Sequence, residues 1–231
     1  MERVGPGASA PFRVALTFDA EHPDRPTRPG VTDELLDALA AVAARTTWFL
    51  QGRWVEAYAP LARRVAADGH LLGNHSFYHA RMPLFSADGF ATDVSAADEV
   101  IRAATGADAR PWFRCPFGTG ATDPFVLDGL AALGYRSVGW HIDSLDWWPR
   151  RRADALEADV VERTIAHGDG AIVLMHGWTT NAAAALPGVL RGLVAAGATF
   201  VGLDELDEAA IPTDVDDTYD VPDDLDHLVP A

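Results

Sequence analysis

The chain has a single cysteine, so no internal disulfide can brace it, which agrees with a reducing compartment. No apolar run approaches the length of a membrane span, and residues 1–11 lack the hydrophobic centre of a signal peptide. No basic stripe is present to track a phosphate backbone. The expectation is a cytoplasmic protein with neither membrane nor nucleic acid as partner; oligomeric state is left open. Internal repeats and low-complexity linkers are also missing. With 231 residues and 48% hydrophobic content, one domain around one sizeable core is the simplest reading.

Acid dominates the charge, at a formal −16, but unevenly. Residues 204–231 hold 11 of the 34 acids and none of the 18 basic residues, leaving 18 bases against 23 acids elsewhere. Residues 209–231 therefore read as a flexible, solubilising acidic tail, behind an N-terminal extension (1–11) and a domain over 12–208.

Within that domain, apolar strand-like runs alternate with alanine-rich helical stretches. Strands are expected at Val14–Phe18, Thr47–Leu50, Trp112–Phe113, Ser137–Ile142, Ala171–Met175 and Thr199–Gly202. Helices are expected at Asp33–Ala44 with Thr32-Asp33 as cap, and at Pro60–Asp68, Ala87–Thr105, Pro124–Leu133, Arg151–His167 and Ala183–Ala196. Such alternation implies an α/β fold with a parallel sheet and helices outside. Polar clusters fall at the strand C-termini, where such folds place active sites. The spacing fits an open sheet and a barrel equally.

The most telling cluster is Asn74-His75-Ser76-Phe77-Tyr78-His79. Two imidazoles four residues apart would share one face of a helical turn and could grip one metal ion. Two histidines leave room for a carboxylate, and the first apolar run ends in Asp19-Ala20-Glu21. Three protein ligands with an open position suit hydrolytic metal chemistry. Further clusters are Arg114-Cys115-Pro116-Phe117-Gly118, Asp143-Ser144-Leu145-Asp146-Trp147 and Leu174-Met175-His176.

Taken in order, these five motifs resemble those of the NodB-homology polysaccharide deacetylases, carbohydrate esterase family 4. The likeness extends to Thr46–Gly52, Gly69–Ser76, Gly134–Trp140 and Phe200–Leu206, and covers roughly residues 12–208. It implies a single-domain, distorted (β/α) barrel of about seven parallel strands. It also implies a metal-dependent hydrolase that removes acetyl from the nitrogen of an amino sugar or glycoconjugate, and the missing signal peptide favours a small-molecule or oligosaccharide substrate over a wall polymer. The implied cofactor is a divalent metal ion, zinc first, with nickel or cobalt as alternatives.

By the same resemblance Asp19 is the general base, and Arg114 is the arginine that holds it. His176 is the general acid, tuned by Asp143 or Asp146, and the backbone N–H of Phe117 is an oxyanion donor. His75 and His79 are metal ligands. The chain departs from the family pattern at Ala20, which replaces the usual ligand aspartate. A variant motif separates base and ligand by one residue, which makes Glu21 the third ligand; His22, Asp24 or water are the fallback donors. Cys115 replaces a proline and reads as a packed residue. His141 stands where relatives often carry aspartate. Trp147 and Trp178 are candidates for the substrate groove, whereas Trp140 reads as core. Two other outcomes stay open: hydrolysis of another carbon–nitrogen bond, such as a cyclic amide or imide, and a catalytically silent carbohydrate-binding protein.

Overall fold

A computed structural model of the chain describes residues 11–25 and 28–215. Its axis is β1 (Phe12–Ala20), almost wholly buried, as expected of a strand covered on both faces. β2 (Thr47–Leu50) pairs with the last four residues of β1 and is followed outward by β3 (Leu71–Asn74), β4 (Trp112–Phe113) and β5 (Arg136–Ser137). On the opposite edge lie β7 (Ala171–His176) and then β6 (Ile142–Asp143). All these pairings are parallel, giving a seven-strand path in the order β5-β4-β3-β2-β1-β7-β6. An eighth strand, β8 (Ala198–Phe200), pairs with the start of β1. The fold is the expected distorted (β/α) barrel.

Among the described residues, seven α-helices cover the outside: α1 (Val31–Ala41), α2 (Gly52–Ala57), α3 (Ala59–Ala67), α4 (Ala87–Thr105), α5 (Pro124–Ala132), α6 (Ala153–His167) and α7 (Thr180–Ala195). Ser86, Asp123 and Thr179 cap α4, α5 and α7 by accepting backbone N–H bonds. The cap of α1 differs from expectation. Gly30, in the left-handed region at φ 85°, occupies the cap position, so Thr32 already lies inside the helix. Its hydroxyl instead donates to the carbonyl of Gly177 at 2.8 Å, tying α1 to the loop after β7.

Side-chain alternation sorts each strand into two faces. From β1, Val14, Leu16, Phe18 and Ala20 enter the main core beneath the helices, whereas Ala15 enters a second cluster inside the barrel. β7 divides likewise, with Val173 and Met175 outward and Ile172 and Leu174 inward. Asp19 and His176 share the inward parity, so period two alone aims both into the barrel at its C-terminal end.

The strand expected over Ser137–Ile142 is split. Val138 donates to Phe113 of β4 at 2.8 Å, but His141 donates to Ile172 of β7 at 2.9 Å, so the intervening residues cross the seam between the two edge strands. Residues 212–215 cover that crossing. Gly139 donates to the Pro212 carbonyl at 2.8 Å, and Trp140 bridges to Val215. A Cβ at Gly139 would sit 1.7 Å from the Asp214 carbonyl oxygen, so only glycine fits. Residues 211–215, expected within the flexible tail, thus pack against the barrel, and Ile211 is buried. The remainder of that tail, 216–231, and residues 1–10 of the N-terminal extension lie outside the described residues.

Inside the barrel the Phe49 ring occupies space left by Gly73, where an added Cβ would meet that ring at 2.5 Å. Phe49 is fully buried and the Arg114 guanidinium lies over it at 4.2 Å, so the ring has no easy escape. Gly73→Ala is expected to cost about 1–3 kcal/mol through overpacking, read as a lower denaturant midpoint at unchanged slope.

Candidate metal centre

The two motif histidines converge, but not through a helix. β3 ends at Asn74, and residues 75–80 form a loop in which Ser76 (φ 65°) and His79 (φ 58°) are left-handed. Two such residues break any helical turn, and the loop is held by side chains instead. The Asp93 carboxylate, from α4, accepts the N–H groups of Phe77 and Tyr78 at 3.0 Å each. Asn74 Oδ1 takes the Ser76 N–H at 2.9 Å, and Ser76 Oγ takes that of His79 at 3.1 Å. Strain of this kind persists only where surrounding contacts over-determine it.

Glu21, His75 and His79 are all buried, and one ligand atom from each lies within 4.8 Å of the others. His75 Nδ1–H donates to the Arg114 carbonyl at 2.8 Å, which turns Nε2 towards Glu21 Oε2 at 3.0 Å and His79 Nε2 at 3.1 Å. His79 Nε2 also contacts Glu21 Oε2. Lone pairs of three donors therefore point at one spot, and such a cluster is relieved only by a proton or a cation. Where a proton provides the relief, His75 is its natural seat: burial opposes charge there, but Asp19 and Glu21 outweigh it and raise its pKa. Burial lowers that of His79. Glu21 is held well below the usual carboxylate range, because its three histidine contacts overcome the burial penalty. An anionic oxygen, a neutral imidazole and an imidazole braced through its other nitrogen suit a divalent ion of the zinc class.

Asp19 stands beside this cluster, with Oδ2 3.6 Å from His75 Nε2. Its Oδ1 accepts from Arg114 Nη1 at 2.8 Å, and the same nitrogen reaches Thr17 Oγ1 at 2.9 Å. Arg114 is fully buried, donates to the Gly139 and Val138 carbonyls, and lies between the rings of Phe49 and Trp140.

Across the site, His176 Nδ1 meets Asp146 Oδ1 at 2.7 Å. Asp146 Oδ2 accepts the backbone N–H of His176 at 2.9 Å and the Thr179 hydroxyl at 2.8 Å. Burial disfavours the imidazolium, yet the Asp146 contact, with Glu21 and Asp19 nearby, lifts His176 to about 10. Asp143 accepts from the Leu145 N–H at 2.8 Å and from the Trp147 side chain, and burial pushes it up to about 6. Of the two candidate carboxylates, Asp146 is thus the one touching His176. His141 accepts the Ile172 N–H at 3.0 Å, and its ring packs tilted against that of His167 at 4.1 Å.

The remaining candidates fall around the rim. Phe117, left-handed at φ 58°, sets its half-exposed ring 4.5 Å from that of His79. Trp178 faces His22 at 5.6 Å and His176 at 6.0 Å, with Arg25 over its ring. It lines a pocket of about 200 Å³ together with Glu21, His22, Thr32, Trp54 and Tyr58. Asp24 is exposed and paired with Arg53 at 2.9 Å, whereas His22 Nε2 contacts Glu21 Oε1 at 2.9 Å. Cys115 is buried and burial pushes its thiol up to about 12, which suits packing rather than attack. Asp93 and Thr179 belong to none of the motifs; Thr17 opens the first one, two residues before Asp19, and shares its inward parity.

The chain matches the family model described as polysaccharide deacetylase over residues 7–138. It is 30% identical over 193 residues to the peptidoglycan-N-acetylmuramic acid deacetylase of Bacillus subtilis, covering 84% of this chain and 70% of that protein. Among solved structures, the family 4 carbohydrate esterase of Streptomyces lividans, in complex with acetate, superposes with a TM-score of 0.71 at 30% identity, over 82% of this chain and 91% of that one. A family 4 pseudoenzyme from Bacillus anthracis superposes at 0.75 with 27% identity, over 85% and 65%. The five motifs, the barrel that gathers their side chains at one end and these matches agree: the chain belongs to the polysaccharide deacetylase family.

Proposed function

We propose that the chain is a metal-dependent N-deacetylase that hydrolyses the acetamide of an N-acetylated amino sugar within an oligosaccharide or larger glycan. The observation that carries this reading is the convergence of Glu21, His75 and His79 beside Asp19, with His176 on the facing wall. A divalent ion held there, zinc first and nickel or cobalt as alternatives, supplies Lewis-acid polarisation of the acyl carbonyl and acidifies water towards neutrality.

The chain's own groups divide the proton transfers. Asp19 takes the proton of the attacking water, and the Arg114 guanidinium fixes its orientation and pairs its charge. The Phe117 amide donates to the oxygen on which charge develops as the carbonyl carbon becomes tetrahedral. His176 enters charged, because Asp146 accepts its Nδ1–H and stabilises the imidazolium, and it delivers the proton of Nε2, which faces the site, to the departing nitrogen. Trp178 and Trp147 offer flat faces for sugar rings at the edge of the site.

A second reading, binding without turnover, is favoured by Ala20 and by the likeness to a family pseudoenzyme. The complete set of base, acid and three metal donors weighs against it. Measuring metal content and acetate release from N-acetylglucosamine oligosaccharides decides the matter. About one ion per chain, with turnover abolished by a chelator and restored by metal, is the expected result. Turnover of a cyclic amide by metal-free protein would instead place it with other carbon–nitrogen hydrolases, and binding without acetate release would make it a silent lectin-like protein.

Asp19→Asn is expected to lower kcat/KM by about 10²–10⁴-fold while metal content holds, and full activity in that variant would remove Asp19 as base. Asp146→Asn withdraws the partner that raises the His176 pKa. The alkaline limb of the kcat/KM profile, where the acid loses its proton, is therefore expected to move to lower pH, towards the ordinary imidazole value of about 6.5. An unmoved limb would sever Asp146 from the acid.

A further inference from the structure

The third ligand of this site is a glutamate, one side-chain torsion longer than an aspartate, and it lies just past the end of β1. A longer, rotamer-rich side chain needs fixing from outside if it is to present one oxygen to an ion. The two oxygens of Glu21 have different neighbours. Oε2 faces His75 and His79. Oε1 faces His22 Nε2 at 2.9 Å, with His176 Nε2 further off at 3.9 Å. A carboxylate held this way can only accept, so Nε2 of His22 carries the hydrogen.

His22 is itself over-determined. It adopts a left-handed backbone at φ 56°, unusual for a residue with a Cβ. Its N–H donates to Gln51 Oε1 at 2.9 Å, while the Gln51 N–H donates to the Ala20 carbonyl at 3.0 Å. The buried Gln51 thereby clamps the chain on both sides of Glu21. The His22 ring is fixed in turn by edge contacts to His79 at 4.6 Å and Trp178 at 5.6 Å.

We propose that His22 is a positioning residue for the metal ligand: its Nε2–H bond to Oε1 fixes the Glu21 rotamer and leaves Oε2 as the single coordinating oxygen. The proposal rests on Glu21 being a ligand. Outer hydrogen bonds of this kind are typically worth about 10–100-fold in metal affinity. The amide of an asparagine at position 22 falls short of Oε1 but tolerates the left-handed backbone, whereas a glutamine extends to about the reach of Nε2.

The test is chelator-competition titration of Zn²⁺ into the metal-stripped full chain, wild type against H22N, H22Q and E21A, with thermal unfolding of each metal-free variant to confirm folding. H22N is expected to bind Zn²⁺ about 10–100-fold more weakly, H22Q to recover most of that loss, and E21A to lose more than H22N. Wild-type affinity in H22N, with E21A impaired, overturns the positioning role and leaves the ligand assignment intact. Wild-type affinity in E21A removes the ligand assignment itself. A loss in H22N as deep as in E21A, without recovery in H22Q, would make His22 a direct ligand and equally overturn the proposal. If H22N unfolds, H22F, which keeps the ring contacts and lacks the donor, carries the same expectation.

Discussion

The buried guanidinium of Arg114 is the contact on which the rest of this molecule turns. It joins β1 through Thr17 and Asp19 to the seam crossing through the carbonyls of Val138 and Gly139, and it rests on Phe49 of β2. A fully desolvated cation is tolerable only with a paired anion and satisfied donors. Asp19 supplies the anion, and Thr17 Oγ1 and the carbonyls of Val138 and Gly139 accept three further hydrogens. The arrangement links fold to chemistry: the carboxylate that neutralises the barrel's internal charge is the one aimed at the metal donors. Its orientation is therefore set by the core.

The legible part of the site is that governed by period two. Asp19 and His176 end runs whose alternation is readable, and Glu21 continues the parity of Asp19 by two residues. The histidine pair is legible in identity but not in conformation. A spacing of four fits a helical turn, yet Ser76 and His79 are left-handed, and the loop depends on Asp93, which reaches it from α4. That contact joins segments apart in sequence, so no local pattern encodes it. The split of the expected strand at 137–142 has a similar origin. Its two halves follow different neighbours, β4 and β7, and only the closed sheet decides where one hands over to the other. Residues 211–215 pack on the seam although composition assigns them to the tail, because acidic residues outnumber the few apolar ones there, Ile211 and Val215.

Proton occupancy and metal occupancy are alternatives here. The raised pKa of His75 and the depressed one of Glu21 describe the same crowding of lone pairs seen from its two ends. A cation entering the cluster displaces the proton that His75 would otherwise hold, so acid and metal compete for the same lone pairs. The His176 side of the site is built the opposite way, since Asp146 retains a proton there rather than leaving a lone pair exposed. Two histidine environments in one site are thereby pushed apart, which suits the roles proposed for them: His75 giving up its proton to a metal and His176 keeping one for a leaving group.

The alanine at position 20 follows from the same geometry. β1 stays extended through Ala20, and period two turns that residue outward, where it is fully buried in the main apolar core and Gly177 lies close to its backbone. A carboxylate at this position would be desolvated among hydrocarbon side chains. Placing the acid one residue on restores the inward parity shared with Asp19, but it carries the proposed ligand past the end of the strand, where the ladder no longer holds it. The left-handed turn at His22 and the double clamp of Gln51 supply the rigidity that the ladder stops providing. If Glu21 is the ligand proposed above, the alanine at 20 and the acid at 21 are one structural change, with the bracing of the turn as its physical counterpart.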